Sequence, residues 1–344
     1  MAEVKKKYIL KTLLTLIISL GCAFLFMWLA IRGLDFATIK KVFIRADYCW
    51  VFVAFVFGIM AYGFRALRWN MLLEPQGYSI ASSNAFWAIS FGYLINLTIP
   101  RSGEIARATA LYGVEKVPVE KAFGTIILER LVDVFFMLLF LLLTAFFKYA
   151  ALISFYDYVL HQKNHTHNDQ SFPWLFCLFL FGIIGMGGLL LFQKKIKNSG
   201  LYTKIIKFWC GLLEGFKSII NIKNKLKFCL YSVAIWLCYY LATYLVCFAL
   251  PETSSFGMVD GLFLITIGTL GMLVPASGGI GAYHLALKLG IMGLFLAGGE
   301  NPELGAQVGL SYAFLSHTLQ LFIMLCMGLM SIPILADRRN NIKK

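Results

Sequence analysis

Residues 92–112 read GYLINLTIPRSGEIARATALY, an apolar run interrupted by a proline, a glycine and three charges, Arg101, Glu104 and Arg107. Charges at membrane depth are costly, and where they occur they mark function. The device recurs: residues 268–287 read GTLGMLVPASGGIGAYHLAL, so Pro100-x-Ser102-Gly103-x-Ile105 returns as Pro275-x-Ser277-Gly278-x-Ile280. Each copy joins an apolar segment of roughly 18 residues to a second apolar helix through a Pro-x-Ser-Gly break. Broken helices at matching positions of two halves point to the binding site of a transporter.

Composition agrees with a membrane setting. The chain is 60% hydrophobic and only 14% charged, against about 25% charged residues in ordinary soluble domains. Its net charge of +14 collects in a few loops and at the ends, which suits anionic lipid surfaces. No soluble segment interleaves aromatic and basic residues, so a nucleic-acid partner is not expected. The eight cysteines lie mostly in apolar segments without a C-x-x-C pair and read as small core residues. Neither a metal nor a cofactor is expected; His161, His165 and His167 fall in a polar loop without an ordered ligand pattern.

Hydropathy predicts an all-α polytopic membrane protein of six spans, at about 8–31, 48–73, 122–147, 173–192, 228–250 and 304–335, with re-entrant hairpins at 80–112 and 256–296. Residues 193–227 hold nine lysines and one acid, Glu214, the strongest positive-inside signal in the chain. Within them, 201–220 has the pattern of an amphipathic helix lying on an anionic leaflet. Both termini are then cytoplasmic, and the tail 337–344 is basic. The basic loop 32–47 runs against this topology. Residues 1–336 form one membrane domain with halves at about 8–192 and 201–336. Three spans and a hairpin per half make an odd number of crossings, so the second half is inverted, with the two tips meeting near the bilayer midplane.

A helix restarting after each break presents unpaired N–H groups and a positive dipole end, which suits an anion. Arg101 and Arg107 add full charge to the first tip, so a phosphate is expected mainly there, with Asn96, Gly103 and Glu104 beside it. At the second tip, Ser277, Gly278, Gly279 and His284 supply backbone and weakly basic groups. Glu104 stands three residues from both Arg101 and Arg107 and is alternatively an intrahelical partner of either. Glu129 and Asp133 share a helix face four residues apart, which calls for a cation or a proton between them; an arginine of the first hairpin, Arg101 or Arg107, is the expected cation, with Arg130 nearby. Arg65 and Arg68 read as anchors at the inner surface, or alternatively as residues facing the bundle interior, His317 as a hydrogen-bonded bundle residue, and Lys288 as a lining of a cavity.

Three pieces in order, Asn96…Pro100-Arg101-x-Gly103-Glu104-x-x-Arg107, Glu129-Arg130-Leu131-x-Asp133 and Pro275-x-x-Gly278-Gly279-Ile280-Gly281, resemble the flippase-like membrane domain of lysylphosphatidylglycerol synthases and its stand-alone relatives. Ser277 and His284 depart from that family's pattern, which carries a proline and an acid there. The resemblance implies movement of an anionic phospholipid or a lipid-linked phosphate between leaflets of a bacterial inner membrane. Its alternative is a membrane enzyme, or an accessory subunit, acting on polyprenyl-phosphate-linked sugars. No segment here forms the soluble aminoacyl-transferring domain, so synthase activity is not expected. The implied partners are anionic membrane lipids and a separate lipid-modifying enzyme.

Overall fold

The computed structural model describes residues 43–99, 101–151, 222–274 and 276–341, with isolated positions between 17 and 40 and at 153. The expected span at 173–192, the amphipathic segment 201–220, the histidine loop and both break prolines, Pro100 and Pro275, lie outside them, and of the expected span at 8–31 only 17, 21 and 24–29 are described, as helix.

Eight long helices account for nearly all of the described chain: α1 (Tyr48–Leu73), α2 (Ser82–Thr98), α3 (Gly103–Glu115), α4 (Val119–Phe147), α5 (Lys225–Tyr244), α6 (Met258–Met272), α7 (Ala282–Ala297) and α8 (Pro302–Asn341). Among the described residues there is no strand. The apolar runs set these helices, and local chemistry sets their ends. The Asp47 carboxylate accepts from Cys49 N–H to start α1, and the Asn224 side chain accepts from Lys227 N–H to start α5, each supplying a partner to an orphan donor. Among the described residues four helical stretches, Tyr48–Gln76, Lys225–Ala249, Ser277–Ala297 and Pro302–Asn341, are long and apolar enough to cross a membrane. Exposed apolar side chains run along them at helical spacing, such as Leu226, Leu230, Val233 and Leu237 on α5 and Phe322, Leu325 and Leu329 on α8. In water such stripes would be a liability; against lipid they are the expected outer face.

Several of the helix pairings have a counterpart when the first four helices are exchanged for the last four. α1 packs on α5, α2 on α8 and α6 on α4, while each broken element folds on itself, α2 on α3 and α6 on α7. One apolar core surrounds each broken element. Trp69, Ala85, Ile89, Leu111 and Ile126 form the first, and Phe263, Ile267, Leu287, Ile291 and Tyr312 the second.

Both broken elements close at their open ends. The Glu115 carboxylate, ending α3, accepts from Ala81 N–H at 2.9 Å and from Asn84 Nδ2 at 2.6 Å at the start of α2. Phe256, just before α6, stacks edge-on with Phe295 near the end of α7. The mouth of the first hairpin adjoins the start of α4, three residues on from Lys116. That of the second is tied to the other end of α4 by the Lys148–Asp260 ion pair at 2.6 Å. At 29 residues, α4 is roughly 43 Å long, so the hairpins open toward opposite ends of the molecule. α8 runs between the same two mouths, beginning beside the end of α7 and ending where Arg338 reaches Asn84 and Ser83 of α2.

Candidate functional site

The break in the first hairpin places its glycine for packing. A Cβ on Gly103 would lie 2.5 Å from Asn96 Nδ2 and would collide with the Gly92 carbonyl, while one on Gly92 would lie 2.7 Å from the Gly103 carbonyl. The two glycines therefore let α2 and α3 cross almost backbone to backbone. Asn96 Oδ1 accepts from Gly103 N–H at 2.7 Å, so the first donor of α3 is capped by α2. The second break is capped too: Gly281 N–H donates to His284 Nδ1 at 3.3 Å. Arg101, with a left-handed φ of 60°, is exposed, pairs with no acid among the described residues and lines neither cavity described below.

The charges instead converge beyond the tip, on α1, α3 and α4. Arg65 Nη2 donates to Asp133 Oδ2 and Arg68 Nη2 to Asp133 Oδ1, each at 2.9 Å. Arg107 Nη2 stands 2.7 Å from Glu129 Oε2, and Arg68 Nε stands 3.7 Å from Glu129 Oε1. Arg130 Nη2 donates to Glu104 Oε1 at 2.9 Å and approaches Asp133 at 4.0 Å. The Arg107 guanidinium lies over the Trp69 ring at 3.7 Å, and Trp69 Nε1 donates to Thr125 at 2.8 Å. Arg68 and Glu129 are fully buried, whereas the Arg130 side chain is 45% exposed.

This arrangement settles the expectation for Glu129 in favour of Arg107 over Arg101. It also corrects two readings. Arg65 and Arg68 are not inner-surface anchors: both are buried and pair with Asp133 and Glu129 of α4. Glu104 pairs neither with Arg101 nor with Arg107, because Arg130 of α4 reaches it across the helix interface.

Arg65, Arg130 and Asp133 form one wall of a central cavity of about 420 Å³ between the two halves. Tyr62, Tyr93, Trp236 and Tyr239 flank that wall, and Val134, Met137, Leu264, Leu273 and Met324 make the rest largely apolar. Arg65 is almost wholly buried, yet its Nε and Nη1 have no hydrogen-bond partner, and neither has Trp236 Nε1. A crevice with room for about one water, lined by Asn96, Gly103, Glu104, Arg107 and Arg130, adjoins it. Of the residues expected at the site, Asn96, Gly103, Glu104, Arg107, Glu129, Arg130 and Asp133 therefore come together. Ser277, Gly278, Gly279 and His284 sit at the second break, where Gly278 packs beside Leu97 and Leu321. Among the described residues no group of three or more His, Cys, Asp or Glu side chains is placed to hold a metal ion. Sequence reasoning missed the tyrosines and Trp236, which have no signal in a chain holding 16 tyrosines and 7 tryptophans.

The fold and site define an α-helical membrane protein with a buried ion cluster opening on an amphipathic cavity. The chain belongs to the family described as lysylphosphatidylglycerol synthase TM region, which matches residues 13–328. That membership fits a role tied to membrane lipids. A UPF0104 membrane protein of Methanocaldococcus jannaschii is 28% identical over 203 residues, 57% of this chain and 54% of that protein. The match thus spans about half of the relative's length. No solved structure gives a significant match.

Proposed function

We propose that the protein translocates an anionic phospholipid, or another lipid-linked phosphate, between membrane leaflets, holding the phosphate at the Arg65–Arg130 wall of the central cavity. The observation that carries this reading is the cavity wall made by Arg65 and Arg130 beside Asp133, with Arg65 Nε and Nη1 buried and lacking a hydrogen-bond partner. Buried donors without acceptors are costly, and phosphate oxygens match the guanidinium fork. Charge agrees. Arg65, Arg68, Arg107 and Arg130 face Glu104, Glu129 and Asp133, leaving one positive charge in excess, which a bound phosphate neutralises.

Size agrees as well. A cavity of this volume falls in the usual range for head-group-sized ligands, roughly 300–1,000 Å³, so the acyl chains stay in the bilayer along the apolar wall. The opposed hairpin mouths support re-entrant hairpins entering from opposite membrane faces, with movement of one half against the other exposing the cavity to each leaflet in turn. The remaining setting follows the positive-inside pattern: six spans in a bacterial inner membrane and both termini cytoplasmic. A separate lipid-modifying enzyme would supply or consume the lipid.

The test is reconstitution of purified protein into liposomes containing a fluorescent anionic phospholipid, with a membrane-impermeant quencher added outside. The expected result is protein-dependent loss of the inner-leaflet signal, at least tenfold slower for Arg130→Gln. Absence of translocation by the wild type, or formation of a new lipid-linked product in place of movement, overturns the reading.

A further inference from the structure

We propose that His284 and His317 together form a binding site for a single proton at the second break. His317, fully buried on α8, places Nε2 2.9 Å from the Gly278 carbonyl. A carbonyl only accepts, so Nε2 carries the hydrogen. His284, also buried, receives the Gly281 N–H at Nδ1. A backbone N–H only donates, so that nitrogen is bare. In the neutral pair both Nδ1 atoms are therefore without a hydrogen, and they face one another at 3.5 Å. Two unprotonated ring nitrogens opposed in a dry setting leave a hydrogen bond unmade between them. One proton added to His317 Nδ1 makes it, donating to the single lone pair of His284 Nδ1 in place of the long Gly281 N–H contact, while His317 keeps its bond to Gly278.

The surroundings place this proton where it matters. The Tyr283 ring lies 4.7 Å from that of His317, its hydroxyl shares a hydrogen bond with Ser316, and Tyr283 and Ser316 both line the central cavity. One aromatic side chain thus separates the imidazoles from the cavity. The other titratable or polar groups near the pair are Lys288, one turn on from His284 along α7, and Ser277 in the break itself. α2 brings Leu97 to Gly278, α6 brings Met272 to Gly279, and α8 adds Phe314 against His284. Burial opposes a charge there, and the shared hydrogen bond is what holds the proton against it. A site that loads in one conformation and unloads in another couples translocation to the proton gradient; this last step rests on the translocation reading above.

The experiment is ¹⁵N NMR of histidine-labelled full-length protein in lipid nanodiscs, in a background where His161, His165 and His167 are glutamine, from about pH 8 down to about pH 5. The site predicts uptake of one proton per chain, seen as a joint change at both Nδ1 atoms and lost from the remaining imidazole in either His284→Gln or His317→Gln. Imidazoles that stay neutral throughout, or that titrate independently in each single variant, overturn the proposal. In liposomes, an imposed pH gradient is expected to change the translocation rate of the wild type and not that of His317→Gln; insensitivity of the wild type overturns the coupling. Wild-type protein that moves no lipid at all refutes the translocation reading, and the NMR titration still decides the proton site by itself.

Discussion

Replacing Glu129 by glutamine keeps the shape of the side chain and removes one charge from the most enclosed part of the ion cluster. Glu129 is fully buried, and its Oε2 stands 2.7 Å from Arg107 Nη2. Once it is neutral, Arg107 keeps only the Trp69 face at 3.7 Å, which is worth about 2 kcal/mol when desolvated. Removing one partner of a buried pair costs about 3–5 kcal/mol because the other charge is left uncompensated. At roughly 2 °C per kcal/mol for a chain of this length, that loss lowers the midpoint of thermal unfolding by about 6–10 °C. The assay is thermal unfolding of purified protein followed by intrinsic tryptophan fluorescence in a fixed detergent. A double variant, Arg107→Met with Glu129→Leu, removes the pair as a unit and is expected to recover at least half of the loss, since an apolar replacement of a whole buried pair is often neutral. An Glu129→Gln protein with an unchanged midpoint refutes the reasoning, as does a double variant less stable than either single one.

Asn96→Ala removes the cap on Gly103 N–H and is expected to cost about 1 kcal/mol, read from the same unfolding curve. Gly103→Val forces a side chain into the Gly92 carbonyl and Asn96, and is expected to cost at least about 1–3 kcal/mol, the range for overpacking. Arg101→Ala removes an exposed side chain, so its stability should stay within about 0.5 kcal/mol of the wild type. Its translocation rate should remain within twofold while Arg130→Gln falls; the reverse order would move the phosphate to the first tip.

Much of the fold was legible because this chain separates apolar runs from charges so sharply. The expected segment 48–73 is α1 to the residue, and the hairpin expected at 80–112 is α2 and α3. The internal Pro-x-Ser-Gly repeat anticipated that two elements would break, and among the described residues each is a pair of helices packed on one another. Glu104, Arg107, Glu129, Arg130 and Asp133 stood out because each interrupts an apolar helix. Arg65 and Arg68 could not be placed from sequence because they lie in the last third of α1, where an arginine reaching the membrane surface and one turned inward look alike. Their partner Asp133 is more than 60 residues away, and only packing of α1 on α4 distinguishes the two. Arg101 drew attention by its place beside the break, but it is exposed and lines neither cavity. The contact between His284 and His317, 33 residues apart on neighbouring helices, has no local pattern that could announce it.

The central claim is that the Arg65–Arg130 wall holds a lipid phosphate, and an experimental structure of the protein in nanodiscs of anionic phospholipid tests it most directly. The account predicts phosphate density within hydrogen-bonding distance of Arg65 Nη1 and the Arg130 guanidinium, with acyl chains leaving past Val134 and Leu273 toward the bilayer. A cavity holding only water, with Arg65 satisfied by protein acceptors and lipid phosphates gathered at Arg101 instead, would contradict it.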